Sequence, residues 1–239
     1  MARVHPKLIT ALDFPTLREA AQMAEKLAGL VQMFKVGLEL FNAEGPPALR
    51  AISDIAGAVF YDSKLMDIPN TVAGAAASIV SARVAMFNVH ASGGREMMQA
   101  AVRAAADKAA ELEIERPLVL GVTVLTSMDE AGMRELGIAR GMREQVLALA
   151  QMAREAGLDG VVASPHEIAD LKQACGEDFV VVTPGVRPDW APHGDQKRVM
   201  TPRQAAAAGA DYVVVGRPIT RAPDPTAAAM RVSQELASA

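Results

Sequence analysis

The 239-residue sequence has a single cysteine, Cys175, so it can form neither an internal disulfide nor a cysteine-built metal cage. No run reaches the roughly 18 consecutive apolar residues that a membrane-spanning helix needs, and the first residues lead into alternating elements without an apolar signal segment. Basic charge is not in surplus either: 24 Lys and Arg against 28 Asp and Glu leave a net charge of −4, a field that repels nucleic acid and anionic membrane. No Gly/Ser linker or charge block divides the chain, which predicts one domain over residues 1–239. These absences point to a cytoplasmic protein with neither a nucleic-acid nor a membrane partner.

What is present is apolar and periodic. With 51% hydrophobic residues the chain can build a sizeable core. Short β-rich runs at 8–13, 33–38, 59–64, 84–90, 117–125, 160–164, 179–184 and 212–216 alternate with helical stretches, the clearest at 16–30, 69–81, 95–112, 142–155 and 226–236. Eight such runs predict a (β/α)8 TIM barrel, whose usual length is about 250 residues. A doubly wound open sheet is the alternative, but no G-x-G-x-x-G follows the first run and six strands would leave two runs unused.

In a barrel, chemistry belongs at the C-terminal ends of the strands, and the polar residues of this sequence gather there. The ends carry Asp13, Asp62-Ser63-Lys64, Asn88-Val89-His90, Thr126-Ser127, Ser164-Pro165-His166, Gly185-Val186-Arg187 and Gly216-Arg217. Residues two apart in a strand share a face, so Asp62 and Lys64 project together into the mouth. A buried ion pair is weak evidence for stability, and one at a strand's catalytic end favours a chemical role. A solvated pair on an edge strand is the plain alternative, but a closed barrel has no edge strand. Residues 187–200 exceed an ordinary strand-to-helix turn and read as a lid. Cys175 falls near the end of a helix before Gly176, and Met97, Met98, Met142 and Met152 read as core filler.

The segment Asp62-x-Lys64-x-x-Asp67-Ile68-Pro69-Asn70-Thr71 resembles the signature of the orotidine 5′-phosphate decarboxylases of the short bacterial type. The likeness runs the length of the chain, through Ala11-Leu12-Asp13, Phe34-Lys35-Val36-Gly37, Asn88-Val89-His90-Ala91, Val124-Leu125-Thr126-Ser127, Thr183-Pro184-Gly185-Val186-Arg187, Gly194-Asp195-Gln196-Lys197-Arg198 and Val215-Gly216-Arg217-Pro218. A wider group of phosphosugar decarboxylases and aldolases shares D-x-K-x-x-D, with an acidic residue at the strand-two position that helps hold Mg²⁺. Here that position is Lys35, and an ammonium has no lone pair to offer a metal. A barrel that binds phosphate without catalysis would account for Arg217 but leaves the charged residues without a purpose.

The resemblance implies loss of CO₂ from orotidine 5′-monophosphate without metal or cofactor, through a charge array of Lys35, Asp62, Lys64 and Asp67. Lys64 would stabilise and protonate C6, while Asp62 would sit near the departing carboxylate and hold Lys64. Gly216 and Arg217 would bind the phosphate, joined by Gln196 from the lid with Arg187 in support. Asp13 and Lys35 would hold ribose hydroxyls, and Thr126 and Ser127 would approach the base. His90 would support Asp62 or Lys64 by hydrogen bonding, whereas His166 and His193 form no ligand set with it. A homodimer is implied too, with Asp67 and Thr71 reaching the neighbouring site; the alternative is that Asp67 caps its own helix.

Overall fold

A computed structural model describes residues 6–191 and 200–239. Eight parallel strands, β1 (Lys7–Ala11), β2 (Met33–Val36), β3 (Val59–Leu65), β4 (Met86–His90), β5 (Leu118–Val122), β6 (Gly160–Val162), β7 (Val180–Thr183) and β8 (Tyr212–Val215), pair in sequence order. β1 also pairs with β8, from Lys7 opposite Tyr212 to Thr10 opposite Val215, and the sheet closes into the barrel that the sequence predicts. The surrounding helices are α1 (Leu17–Leu27), α2 (Leu38–Glu44), α3 (Pro46–Ala56), α4 (Pro69–Ser81), α5 (Arg95–Glu111), α6 (Glu130–Glu135), α7 (Met142–Glu155), α8 (Ile168–Cys175), α9 (Pro202–Ala208), α10 (Arg217–Thr220) and α11 (Pro225–Ala237).

Period-two alternation divides the strands' side chains between two cores. Ile9, Ala11, Met33, Phe60, Met86, Leu120, Val182 and Val214 point inward and fill the barrel. Their neighbours along each strand, such as Phe34, Val59, Phe87, Val119 and Val213, point outward and pack under the helices. Following the inward face two residues further leads to Asp13, Lys35, Asp62, Asn88, Val122, Pro184 and Gly216. The mouth is therefore a continuation of the barrel's own packing pattern, with polar residues replacing apolar ones at the next level on the first four strands.

The opposite end of the barrel is stitched by side chains. Gln32, Asp159 and Asp211 each stand immediately before an even-numbered strand and accept the backbone N–H of the second residue of the preceding strand: Leu8 at 2.8 Å, Val119 at 2.7 Å and Val181 at 2.7 Å. Arg116 holds Asp159 through both guanidinium nitrogens, and the buried Lys172 reaches Asp211 at 2.7 Å. These bonds fix the pairing register at the base and so the height of each strand's upper end. Gly160 begins β6 because a Cβ there would stand 2.1 Å from the Val180 carbonyl oxygen.

Several boundaries differ from those predicted. The second strand stops at Val36 rather than 38: Gly37 is the N-cap of α2, and Gly45, with φ at +68°, separates α2 from a second helix opened by Pro46. The first helix ends at Leu27, before Gly29 in the left-handed region. The fifth strand ends at Val122, so Thr126 and Ser127 lie in the following loop. Cys175 is buried at the end of α8, Met97 and Met98 lie in the outer core, and Met142 and Met152 pack against it. Among the described residues no helix is long and apolar enough to cross a membrane.

Candidate active site

A cavity of about 270 Å³ opens at the C-terminal ends of the strands. Asp13, Lys35, Asp62, Lys64, Thr126, Arg187, Gly216 and Arg217 line it together, which brings most of the predicted site residues to one place. The charged half comes from β2, β3 and the residues just after β1, the arginines from the loop after β7 and the first residue of α10, and an apolar wall of Val122, Val162, Ala163 and Pro184 lies between.

Asp62 is the centre of the charged half. Its Oδ1 accepts the Lys64 ammonium at 2.6 Å and the Asn88 amide at 2.7 Å, and its Oδ2 faces the Lys35 ammonium at 3.5 Å. Lys35 also donates to Asp13 at 3.0 Å, so it bridges two carboxylates. Burial would raise the Asp62 pKa, but the charges of Lys35 and Lys64 and the bonds from Lys64 and Asn88 outweigh it and hold the carboxyl below its usual range. Burial likewise disfavours the charged form of Lys35, and Asp62 and Asp13 reverse the effect, so its pKa is raised. The neighbouring Tyr61 phenol is pushed up to about 12 by burial and by the charge of Asp62. Both ends of the Lys35–Asp62 pair thus stay ionised across the neutral range.

The backbone is shaped to this array. A Cβ on Gly37 would stand 2.7 Å from the Lys35 Nζ and 3.2 Å from the Asp13 carboxylate, so a larger residue there would push that pair aside. The β3–β4 register shifts between Tyr61 and Leu65, and Lys64 takes φ +48°, in the left-handed region. Simple alternation therefore does not extend through Lys64, although its ammonium still meets Asp62.

Other predicted residues sit elsewhere. Ser127 is exposed and lies off the cavity that Thr126 lines. Asp67 and Thr71 are exposed outside their own chain's array. The Asp67 carboxylate accepts the N–H of Ile68 at 2.6 Å; Ile68 is the residue that precedes α4, and no side chain caps that helix. Gln196 and His193 lie outside the described residues, as does most of the predicted lid. The loop's ends are joined, with Arg187 N–H donating to the Met200 carbonyl at 2.9 Å. Arg187 and Arg217 line the same cavity, and burial and then the like charge of Arg217 lower the Arg187 pKa.

The hydrogen-bonded support expected of His90 comes instead from Asn88, which the sequence places at the end of the fourth strand without a role. Asn88 bonds both Asp62 and the backbone of Lys64, while burial and then the charge of Lys64 lower the His90 pKa. The available signal was facial: Asn88 follows Met86 by two on the inward side of β4. Among the described residues no three His, Cys, Asp or Glu side chains stand together as a metal-holding group.

Comparison with known proteins agrees along the whole chain. Residues 6–232 match the family described as Orotidine 5'-phosphate decarboxylase / HUMPS family. The chain is 53% identical over 239 residues to an orotidine 5′-phosphate decarboxylase of Moorella thermoacetica, covering 99% of this chain and 95% of the relative. It is 50% identical to that of Syntrophotalea carbinolica, with 100% and 98% covered. The crystal structure of orotidine 5′-phosphate decarboxylase from Lactobacillus acidophilus superposes with a TM-score of 0.86 at 35% identity, covering 98% of this chain and 99% of that one.

Proposed function

The chain belongs to the Orotidine 5'-phosphate decarboxylase / HUMPS family, and from that premise we infer that it is a carboxy-lyase converting orotidine 5′-monophosphate to uridine 5′-monophosphate and CO₂ in pyrimidine biosynthesis. The observation that carries the choice within the family is Lys35. A divalent cation at this mouth would need a second carboxylate where Lys35 stands, and the ammonium instead bridges Asp13 and Asp62. A magnesium-dependent phosphosugar reaction is disfavoured on the same ground.

The reaction breaks the bond from C6 to the carboxylate carbon. CO₂ departs, and the electron pair left on C6 lies in the ring plane, where the π system cannot delocalise it. Stabilisation has to come from a cation already in position. Lys64 supplies it, since its Nζ is anchored by Asp62 at 2.6 Å yet lines the cavity, and the same group delivers the proton that C6 takes up. Asp62, held ionised by two lysines, fixes that ammonium and lies near the departing carboxylate.

Substrate binding divides along the same lines. Arg217 and Arg187 bind the phosphate by charge-assisted hydrogen bonds, together with the Gly216 backbone and Gln196, and a dianion relieves the repulsion between the two guanidinium groups. Asp13 at the rim and the buried Lys35 bonded to it hold ribose hydroxyls. Thr126 approaches the base, and its position on the cavity favours it over Ser127.

The working unit is a homodimer in which Asp67 and Thr71 complete the neighbour's site. Two observations support this: neither residue faces its own cavity, and the large apolar side chains flanking Asp67, Met66 and Ile68, are 58% and 68% exposed. A second copy over this surface would bury them and bring the fourth charge to the array.

The decisive assay follows the absorbance of orotidine 5′-monophosphate with purified protein, with and without a metal chelator. Turnover unaffected by the chelator is expected. No turnover of this substrate, or activity that chelation abolishes and magnesium restores, would refute the reading.

A further inference from the structure

The three consecutive residues Asp62, Ser63 and Lys64 are all bonded to one residue of the next strand. The Asn88 Nδ2 donates to Asp62 Oδ1 at 2.7 Å, its Oδ1 accepts the Lys64 backbone N–H at 2.6 Å, and its main-chain carbonyl accepts the Ser63 hydroxyl at 2.7 Å. This happens where β3 and β4 lose their regular register and where Lys64 takes φ +48°. The side-chain amide thus stands in for the missing backbone ladder. Its orientation is chemically forced, because a carboxylate can only accept and a backbone N–H can only donate. Asn88 is wholly buried, so water cannot replace either bond.

We propose that Asn88 is a positioning residue for decarboxylation: it holds Lys64 in its left-handed backbone conformation and fixes the Asp62 carboxylate, so that the ammonium is aimed before substrate arrives. It touches neither substrate nor the reacting atoms and acts through those two residues. The proposal rests on the decarboxylase reading. An aspartate at this position could not donate to Asp62 while ionised, and an apolar residue would leave both the Lys64 N–H and one Asp62 lone pair unmatched. Preorganisation of this kind acts on the chemical step more than on binding, because nucleotide affinity comes mainly from the far side of the mouth.

The test compares Asn88→Ala, Asn88→Asp and the unaltered protein. In Asn88→Ala, kcat should fall by about 10–100-fold, while KM and the Kd of uridine 5′-monophosphate stay within about threefold. A folded Asn88→Ala protein with kcat within about threefold of normal, or one whose product affinity falls as steeply as kcat, overturns the proposal. Asn88→Asp has nearly the same volume and keeps the test open if the alanine variant does not fold. The groups facing the new carboxylate are Asp62, Lys64 and Lys35 from β2 and β3 and His90 from its own strand, while β5 presents Leu120 and Val122. Two adjacent carboxylates share a proton at low pH and repel when it is lost. The kcat of Asn88→Asp relative to the unaltered protein should therefore fall as pH rises from about 5 to 9. A ratio that stays near one across this range overturns the proposal. If the unaltered protein itself fails to turn over the nucleotide, the decarboxylase reading fails, a result distinct from normal turnover by the Asn88 variants.

Discussion

Pairing Lys64→Ala chains with Asp67→Ala chains tests the shared site by arithmetic. Within one chain, Lys64 is bonded to Asp62, whereas the exposed Asp67 makes one hydrogen bond, to Ile68 N–H. Removing the Asp67 carboxylate therefore costs, within one chain, one surface hydrogen bond, about 1 kcal/mol or less, so the chain's own fold should survive. If Asp67 completes the neighbour's charge array, activity should nevertheless drop by about 10²-fold or more, a loss out of proportion to the stability change. In a mixed dimer one site carries both lesions and the other carries neither. Random exchange of an equimolar mixture makes about half the dimers mixed, with one intact site in two, so activity should return to about a quarter of that of the unaltered protein. Differently tagged chains report the exchange, and the absorbance assay reports activity. Demonstrated exchange without recovered activity, or full activity in a sedimenting monomer, would refute the reasoning.

Two further outcomes follow from groups that do not line the cavity. Asp211→Ala leaves the buried Lys172 ammonium with only the Glu177 and Phe179 carbonyls and deprives Val181 N–H of its acceptor, which should cost about 3 kcal/mol and lower the melting temperature by roughly 6–12 °C. A calorimetric shift under about 2 °C would show that the stitch is dispensable. His90→Gln should keep normal kcat at pH 7 and above, because the lowered pKa leaves the imidazole neutral there. The same variant should gain stability relative to the unaltered protein as pH falls below about 6.5, where the unfolded chain's histidine binds a proton that the folded one resists. Parallel acid melting curves for the two proteins would contradict this.

The barrel was legible because each strand is a short apolar run and several helices carry unambiguous ends. Pro69 opens α4, and both α4 and α7 have the limits that the sequence predicts. The helices α2 and α3 were not, since Val36, Leu38 and Leu40 also alternate like a strand and the pair is short and broken at Gly45. Asp62, Lys64, Arg187 and Arg217, which the structure gathers at one cavity, stood out because charge at a strand's end has few structural uses, whereas Lys35 stood out through the family resemblance. The role proposed for Asn88 was not legible because it arises from a register shift and a left-handed Lys64, which depend on two strands at once. A pattern read along one strand cannot register that. Asp67 and Thr71 pose a similar problem, since their proposed partner residues belong to another copy of the chain.

The most direct test of the central claim is a single comparison of Lys64→Ala with the unaltered protein, measuring turnover of orotidine 5′-monophosphate and affinity for uridine 5′-monophosphate on the same samples. Lys64 is half-buried and bonded to Asp62 alone through its ammonium, and Asp62 keeps Lys35 and Asn88 when it is gone. The fold and the phosphate-binding half should therefore survive. Loss of the preorganised charge alone should slow turnover by roughly 10²–10³-fold, about 3–4 kcal/mol, and loss of the proton donor adds to that. Turnover should be abolished while the product still binds; near-normal turnover by a folded Lys64→Ala protein would contradict the account.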